Sequence, residues 1–187
     1  MTDPFAPDPI ELDPVDALAA GAVGEPGDRA FYIQARKESA ELTVLVEKEQ
    51  VAHLAAEAVA FLDRLAPEYP EDPFEAVGID PRGASLSTPT EPLFRARLIG
   101  LGFDPDRKMV VIELHERTRD DEDDEGDEPL AEADEELGGF VAKLVASRPQ
   151  VRAMAARGVE AVEAGRPRCQ LCEQPMDPDG HICPRWN

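Results

Sequence analysis

Three features of the residue pattern predict an α+β fold made of two ββ-β-α halves followed by a short cysteine-bearing tail. Apolar residues spaced by three and four mark helices over residues 48–65 and 147–164, because that spacing lines one side of an α-helix. Three short runs rich in β-branched and aromatic residues precede each helix, divided by Gly- or Pro-containing turns, which is the pattern of antiparallel hairpins. A Pro-rich stretch, residues 67–92, separates the two sets and is too rich in Pro and Gly to be a long helix.

Residues 1–14 carry repeated Asp-Pro pairs and no periodicity, so they read as an extended leader with room for a short terminal strand. The first half, residues 15–66, starts with strand 15–23, the turn Gly24-Glu25-Pro26-Gly27 and strand 29–36. A second turn leads to strand 41–47, and these three strands form a meander. Helix 48–65 follows, with Val51, Leu54, Ala55, Ala58, Leu62 and Leu65 on its apolar stripe. Beyond the linker the second half, residues 93–165, repeats the order with strands 93–103, 108–116 and 139–146 and helix 147–164. Ser147 is placed to cap that helix, with Pro149 in its first turn and Gln150 reaching back to the cap. Gly165 is expected to close it through a positive φ. The segment Gln50-Val51-Ala52-His53-Leu54-Ala55-Ala56 aligns without gaps on Gln150-Val151-Arg152-Ala153-Met154-Ala155-Ala156, which points to an internal duplication of one antiparallel sheet covered by one helix.

At 187 residues and 42% hydrophobic, the chain is long enough for one well-buried core. Of its 40 acidic residues, twelve fall between Asp120 and Glu136. That run lacks the spacing of a calcium loop, and blocks of like charge are solvated, so residues 119–136 read as a disordered acidic insertion in a hairpin. The formal net charge is −21, and −9 remains when the run is set aside. Binding to nucleic acid depends on Lys and Arg meeting phosphates, so neither nucleic acid nor an anionic membrane surface is an expected partner. No run approaches the roughly 20 apolar residues of a membrane-spanning helix. The acidic, Pro-rich N-terminus is unlike a secretory signal, and the expected compartment is the cytoplasm.

All three cysteines lie near the end: Cys169-Gln170-Leu171-Cys172, then, after eight intervening residues, His181-Ile182-Cys183. In a cytoplasmic chain such clustering points to metal rather than disulfides. A Cys-x2-Cys turn presents two thiolates, and His181 and Cys183 complete a Cys3His set, a full tetrahedral shell for Zn2+. Pro175, Asp177, Pro178 and Gly180 supply bends between the pairs. A filled shell leaves no position for water or substrate, so the predicted zinc is structural. The tail, residues 166–187, is too short for its own core and would fold with the metal. Arg166, Arg168 and Arg185 flank the ligands; they either balance the thiolates or are solvated surface groups.

Nothing else in the chain makes a catalytic or cofactor-binding constellation. His53 and His115 have no nucleophile or carboxylate in a recognisable motif beside them, and neither a phosphate-binding glycine loop nor a GxSxG elbow occurs. Gly78 to Gly83 is a turn with no strand before it.

The runs Gly24-Glu25-Pro26-Gly27, Arg29 to Arg36 and Val46 to Val51, and the ending from Ala164 to Arg185 with its CxxC and HxC pairs, resemble a bacterial family catalogued as domain of unknown function 3090. The resemblance covers nearly the whole chain. It implies an actinobacterial family with no established activity, whose members are encoded near a phosphoinositide-kinase-like and a histidine-phosphatase-like protein. The acidic insertion and Trp186 depart from that family's pattern without touching the ligands. The functional expectation is a non-catalytic interaction or accessory protein that docks a protein partner. The alternative is a small-molecule enzyme with a cleft between the halves, where Arg36, Glu47, Lys48 and Glu49 could meet their counterparts.

Overall fold

The computed structural model describes residues 9–71, 81–88, 90–116, 139–166, 169–176 and 180–186. The acidic insertion expected at 119–136 lies outside them, as does Arg168. The chain is a mixed α+β fold, with seven strands and two α-helices among the described residues. The strands are β1 (Ile10–Leu12), β2 (Ala17–Glu25), β3 (Asp28–Lys37), β4 (Ala40–Val46), β5 (Phe94–Asp104), β6 (Met109–Glu116) and β7 (Val141–Ala146); helix α1 (Lys48–Leu65) follows β4, and α2 (Arg148–Glu163) follows β7. Among the described residues no helix is long and apolar enough to cross a membrane.

The expectation of two separate antiparallel sheets is corrected. All seven strands belong to one sheet in the order β1-β7-β6-β5-β4-β3-β2. The two meanders are antiparallel within themselves, but β4 and β5 pair in parallel through Val44↔Phe94 and Leu45↔Arg95. A three-stranded sheet would leave rows of unpaired backbone groups at its edges; joining the meanders satisfies one edge of each.

The free edge of β7 is covered by the leader. β1 pairs in parallel with β7, and beyond a cis Asp13-Pro14 bond Val15 N donates to Val145 O while Asp16 N donates to Arg36 O of β3. The residues leading into β2 thus bond to β7 through Val15 and to β3 through Asp16. Arg107, after β5, grips Asp13 with two hydrogen bonds of 2.7 and 2.6 Å. Those bonds hold the Asp13 carboxyl below its ordinary pKa.

Alternation explains which side chains turn inward. Leu18 and Ala20, Phe31, Ile33 and Ala35, Leu42, Val44 and Val46, Phe94 and Ala96, Val110, Ile112 and Leu114, and Ala142, Leu144 and Ala146 are every second residue of their strands, and all enter one core. The helices add Val51, Leu54, Ala55, Ala58 and Leu62 from α1 and Val151, Met154 and Ala155 from α2. They cross closely at Gly158, where an added Cβ would lie 3.1 Å from Val51 Cγ1 and 3.6 Å from the Ala20 Cβ of β2.

Residues 81–88, within the stretch expected to be a linker, contain a 3-10 turn over Pro81–Ala84 and dock on β2 and β3. Gln34 is buried on the face of β3 away from the core. Its Oε1 accepts from Ser87 N at 2.7 Å and from Ser87 Oγ at 2.9 Å, and its Nε2 donates to Thr43 Oγ1 at 3.0 Å. Leu86 lies over Gly21, where an added Cβ would come within 3.1 Å of it.

The two helix starts are built alike. Ser147 N donates to Gln150 Oε1 at 2.9 Å and Ser147 Oγ accepts from Gln150 N at 3.3 Å, so the expected capping box is present. Glu47 and Gln50 form the same reciprocal box at α1, with Glu47 N donating to Gln50 Oε1 at 2.8 Å. The remaining donors of both glutamines reach across the fold: Gln50 Nε2 bonds to Ala96 O and Arg97 O at 3.3 and 3.1 Å, and Gln150 Nε2 to Val15 O and Asp16 O at 3.1 and 3.2 Å. Each ties its helix to the strand that opens the other half. Replacing either by Ala removes a cap and two cross-fold bonds, and the expected loss is about 1–2 kcal/mol, nearly equal at the two sites when urea midpoints are compared.

The end of α2 differs from expectation. Ala164 N donates to Glu160 O, and the glycines with positive φ are Gly24, Gly27, Gly139 and Gly180, not Gly165. The helix is closed by its own last turn. Gly165 lies instead against Lys48, whose Nζ would be 3.5 Å from an added Cβ.

Candidate metal centre

The Cys-x2-Cys segment folds as a tight turn because its backbone bonds close on themselves. Glu173 N donates to Cys169 O at 2.8 Å and Cys169 N to Gln174 O at 2.9 Å, with Glu173 at φ +62° in a conformation that residues other than Gly seldom adopt. The sequence pattern carries no sign of that position, since Gly or Asn is the usual occupant. Leu171 N points back at the Cys169 sulfur, 3.4 Å away. Gly180, expected at a bend, has φ +90°; Asp177 and Pro178 lie outside the described residues. Arg185 Nη1 donates to Leu171 O at 3.0 Å, and so ties the second ligand pair to the first turn. Arg166 lies against Gly27 at the β2–β3 turn, where an added Cβ would be 3.2 Å from its Nε.

These bonds bring all four expected ligand residues together. The sulfurs of Cys169, Cys172 and Cys183 and a ring nitrogen of His181 lie within 4.8 Å of one another. Cys169 Sγ and Cys183 Sγ are 3.8 Å apart, and Cys172 Sγ is 3.2 Å from His181 Nε2. A tetrahedron with Zn–S bonds of about 2.3 Å has an S···S edge of about 3.8 Å. The cluster is compatible with a metal site in donor type, number and spacing. Cys169 and Cys183 are buried, while Cys172 and His181 are half-buried.

Electrostatics within the knuckle favour one thiolate first. Backbone N–H groups of Cys172 and Leu171, aimed at its sulfur, hold the Cys169 thiol below its ordinary pKa. The Cys172 sulfur also receives a backbone bond, from Gln174, but burial and the neighbouring Cys169 and Cys183 sulfurs outweigh it and push that thiol up. Adjacent sulfurs resist ionising together unless a cation lies between them.

The polar residues of the first half expected at a cleft line three different cavities. Glu47 and Lys48 line one cavity, Glu49 lines a groove between α1 and β5 with His53 and Glu57, and Arg36 lines a small pocket with Glu41 and Ser87. His115 Nε2 is 3.8 Å from Glu113 Oε2 on the same strand. Pattern reading did not single out the first cavity, because its residues come from widely separated segments.

A family model described as "Protein of unknown function (DUF3090)" matches residues 10–183, and the chain belongs to that family. No curated protein and no solved structure matches it.

Proposed function

We propose that this DUF3090 protein is a non-catalytic accessory protein of the cytoplasm whose C-terminal tail, folded around one structural Zn2+, docks a protein partner. The observation that carries the reading is the closed Cys169, Cys172, His181 and Cys183 cluster, with ligand atoms within 4.8 Å. Four such donors fill a zinc shell and exclude substrate from the ion. Zinc supplies a fixed charge that lets three thiolates sit side by side, and the chain supplies the turn, the Gly180 bend and the Arg185 bond that aim them.

What the tail displays supports docking. Ile182 is 98% exposed, Trp186 80% and Leu171 52%. They sit between or just beyond the ligands, so metal binding would hold three apolar side chains in water. Apolar anchors of this kind, with Trp foremost, carry most of the energy of many protein interfaces. The shared helix starts, the common strand order and the matching Gln50 and Gln150 bonds favour an internal duplication that makes the body a rigid base for the tail.

The test is an affinity capture with three forms of the full chain: native, Cys169→Ser with Cys172→Ser, and Ile182→Glu with Trp186→Glu. The second form should lose zinc and partner together. The third should keep one zinc and still lose the partner. Capture of the same partner by all three forms would overturn the docking role.

A further inference from the structure

We propose that the cavity between the body and the metal tail binds a small phosphate-bearing molecule. The cavity, about 430 Å³, is lined from the β2–β3 turn (Gly27) and the start of β3 (Arg29), the end of β4 and start of α1 (Glu47, Lys48), β5 (Arg95), the segment after α2 (Gly165, Arg166) and the tail (Pro175). Its size falls within the range of small-molecule sites, and Ala30, Phe31 and Val46 add apolar wall for an organic body.

Charge selects the ligand class. Four cationic side chains and one carboxylate face this space, in a chain whose net charge is −21. The carboxylate, Glu47, is held by Arg95 at 2.6 Å. Among the described residues neither Lys48 nor Arg29 forms an ion pair; Arg29 makes a 3.5 Å bond to Ala161 O. The other cavities lack such an excess: the α1–β5 groove has Glu49 and Glu57 beside Arg97, and the small pocket has Arg36 beside Glu41. Like charges crowded together are unfavourable unless an anion joins them, and arginine forks match phosphate oxygens in pairs.

The cations are placed by close approaches that lack side-chain bulk. Arg166 crosses Gly27, and Lys48 lies along Gly165. Pro175 contributes a wall from within the knuckle, so the cavity would be complete only with the tail folded. Ligand binding is then coupled to the metal.

The test is calorimetric titration of the zinc-loaded full chain with inorganic phosphate, pyrophosphate and AMP in turn. At least one should bind saturably at one site. Lys48→Gln and Arg29→Gln should each weaken it on the order of tenfold, the loss of one charge-assisted hydrogen bond, with unchanged zinc content and circular dichroism. Lys143→Gln, which removes a distant cation paired with Glu11, should leave affinity as it was. Absence of saturable binding for all three anions at millimolar concentration, or equal weakening by all three substitutions, would overturn the proposal. Neither result bears on the zinc shell.

Discussion

Replacing Cys172 by Ser should unfold the tail and leave the body intact. The tail has few apolar residues to bury, and Ile182, Trp186 and Leu171 face solvent, so with the proposed zinc bound its folding free energy would come from metal coordination, on the order of 10 kcal/mol in small zinc modules. Loss of one ligand of four would remove most of that, and the backbone bonds Glu173 N to Cys169 O and Cys169 N to Gln174 O are too few to hold the turn. Trp186 is the chain's single tryptophan, so its fluorescence anisotropy reports the tail alone. It should fall to the value of an unstructured peptide end in the variant and on chelation of the native protein, while the thermal transition of the body stays in place. Anisotropy unaffected by chelator would mean that contacts other than the metal order the tail.

The second large effect is expected at Arg148, whose side chain is 1% exposed. It opens α2, and its guanidinium donates to Tyr69 O and, at 3.3 Å, to Pro70 O. These carbonyls belong to the chain leaving α1, where Tyr69 also packs edge-on against Phe103 of β5, ring centres 5.0 Å apart. Arg148→Met would remove the buried charged donor shared by the two part-buried carbonyls, a loss of about 3 kcal/mol. For a domain of this size the melting temperature should drop by roughly 6–12 °C. Arg148→Lys should recover little, because one ammonium cannot span two carbonyls as a planar fork does. A shift of less than about 2 °C would show that the segment is held elsewhere.

These two positions also show which parts of the molecule were legible in the residue pattern. The knuckle was, because its ligands are near neighbours in sequence and zinc spacing is a local signal. So were the strands, whose inward residues alternate, and the helix start at Ser147. The joining of the meanders was not: Val44 pairs with Phe94 across fifty residues, and a parallel partner leaves no local mark on either strand. The bonds of Val15 to β7 and of Asp16 to β3 were hidden for the same reason, since those two strands lie far apart in the strand order. Gln34 occupies an outward strand position that alternation assigns to solvent, yet it is buried because residues 81–88 fold over it. Arg148 was masked by the helix-start signal in which it sits, and a long cation is usually assigned to the surface. The cationic cavity was hidden because five separate stretches of chain build it.

Cobalt substitution offers the most direct test of the tetrahedral shell, since Co2+ takes the place of Zn2+ and its visible spectrum reports ligand type and geometry. Full-length protein should carry one zinc per chain as purified. After exchange it should show the intense d–d bands of tetrahedral cobalt with thiolate-to-metal charge transfer, lost in Cys169→Ser and Cys183→Ser alike. Protein that binds no stoichiometric metal, or a pale octahedral cobalt spectrum with water in the shell, would contradict the closed Cys169, Cys172, His181 and Cys183 site.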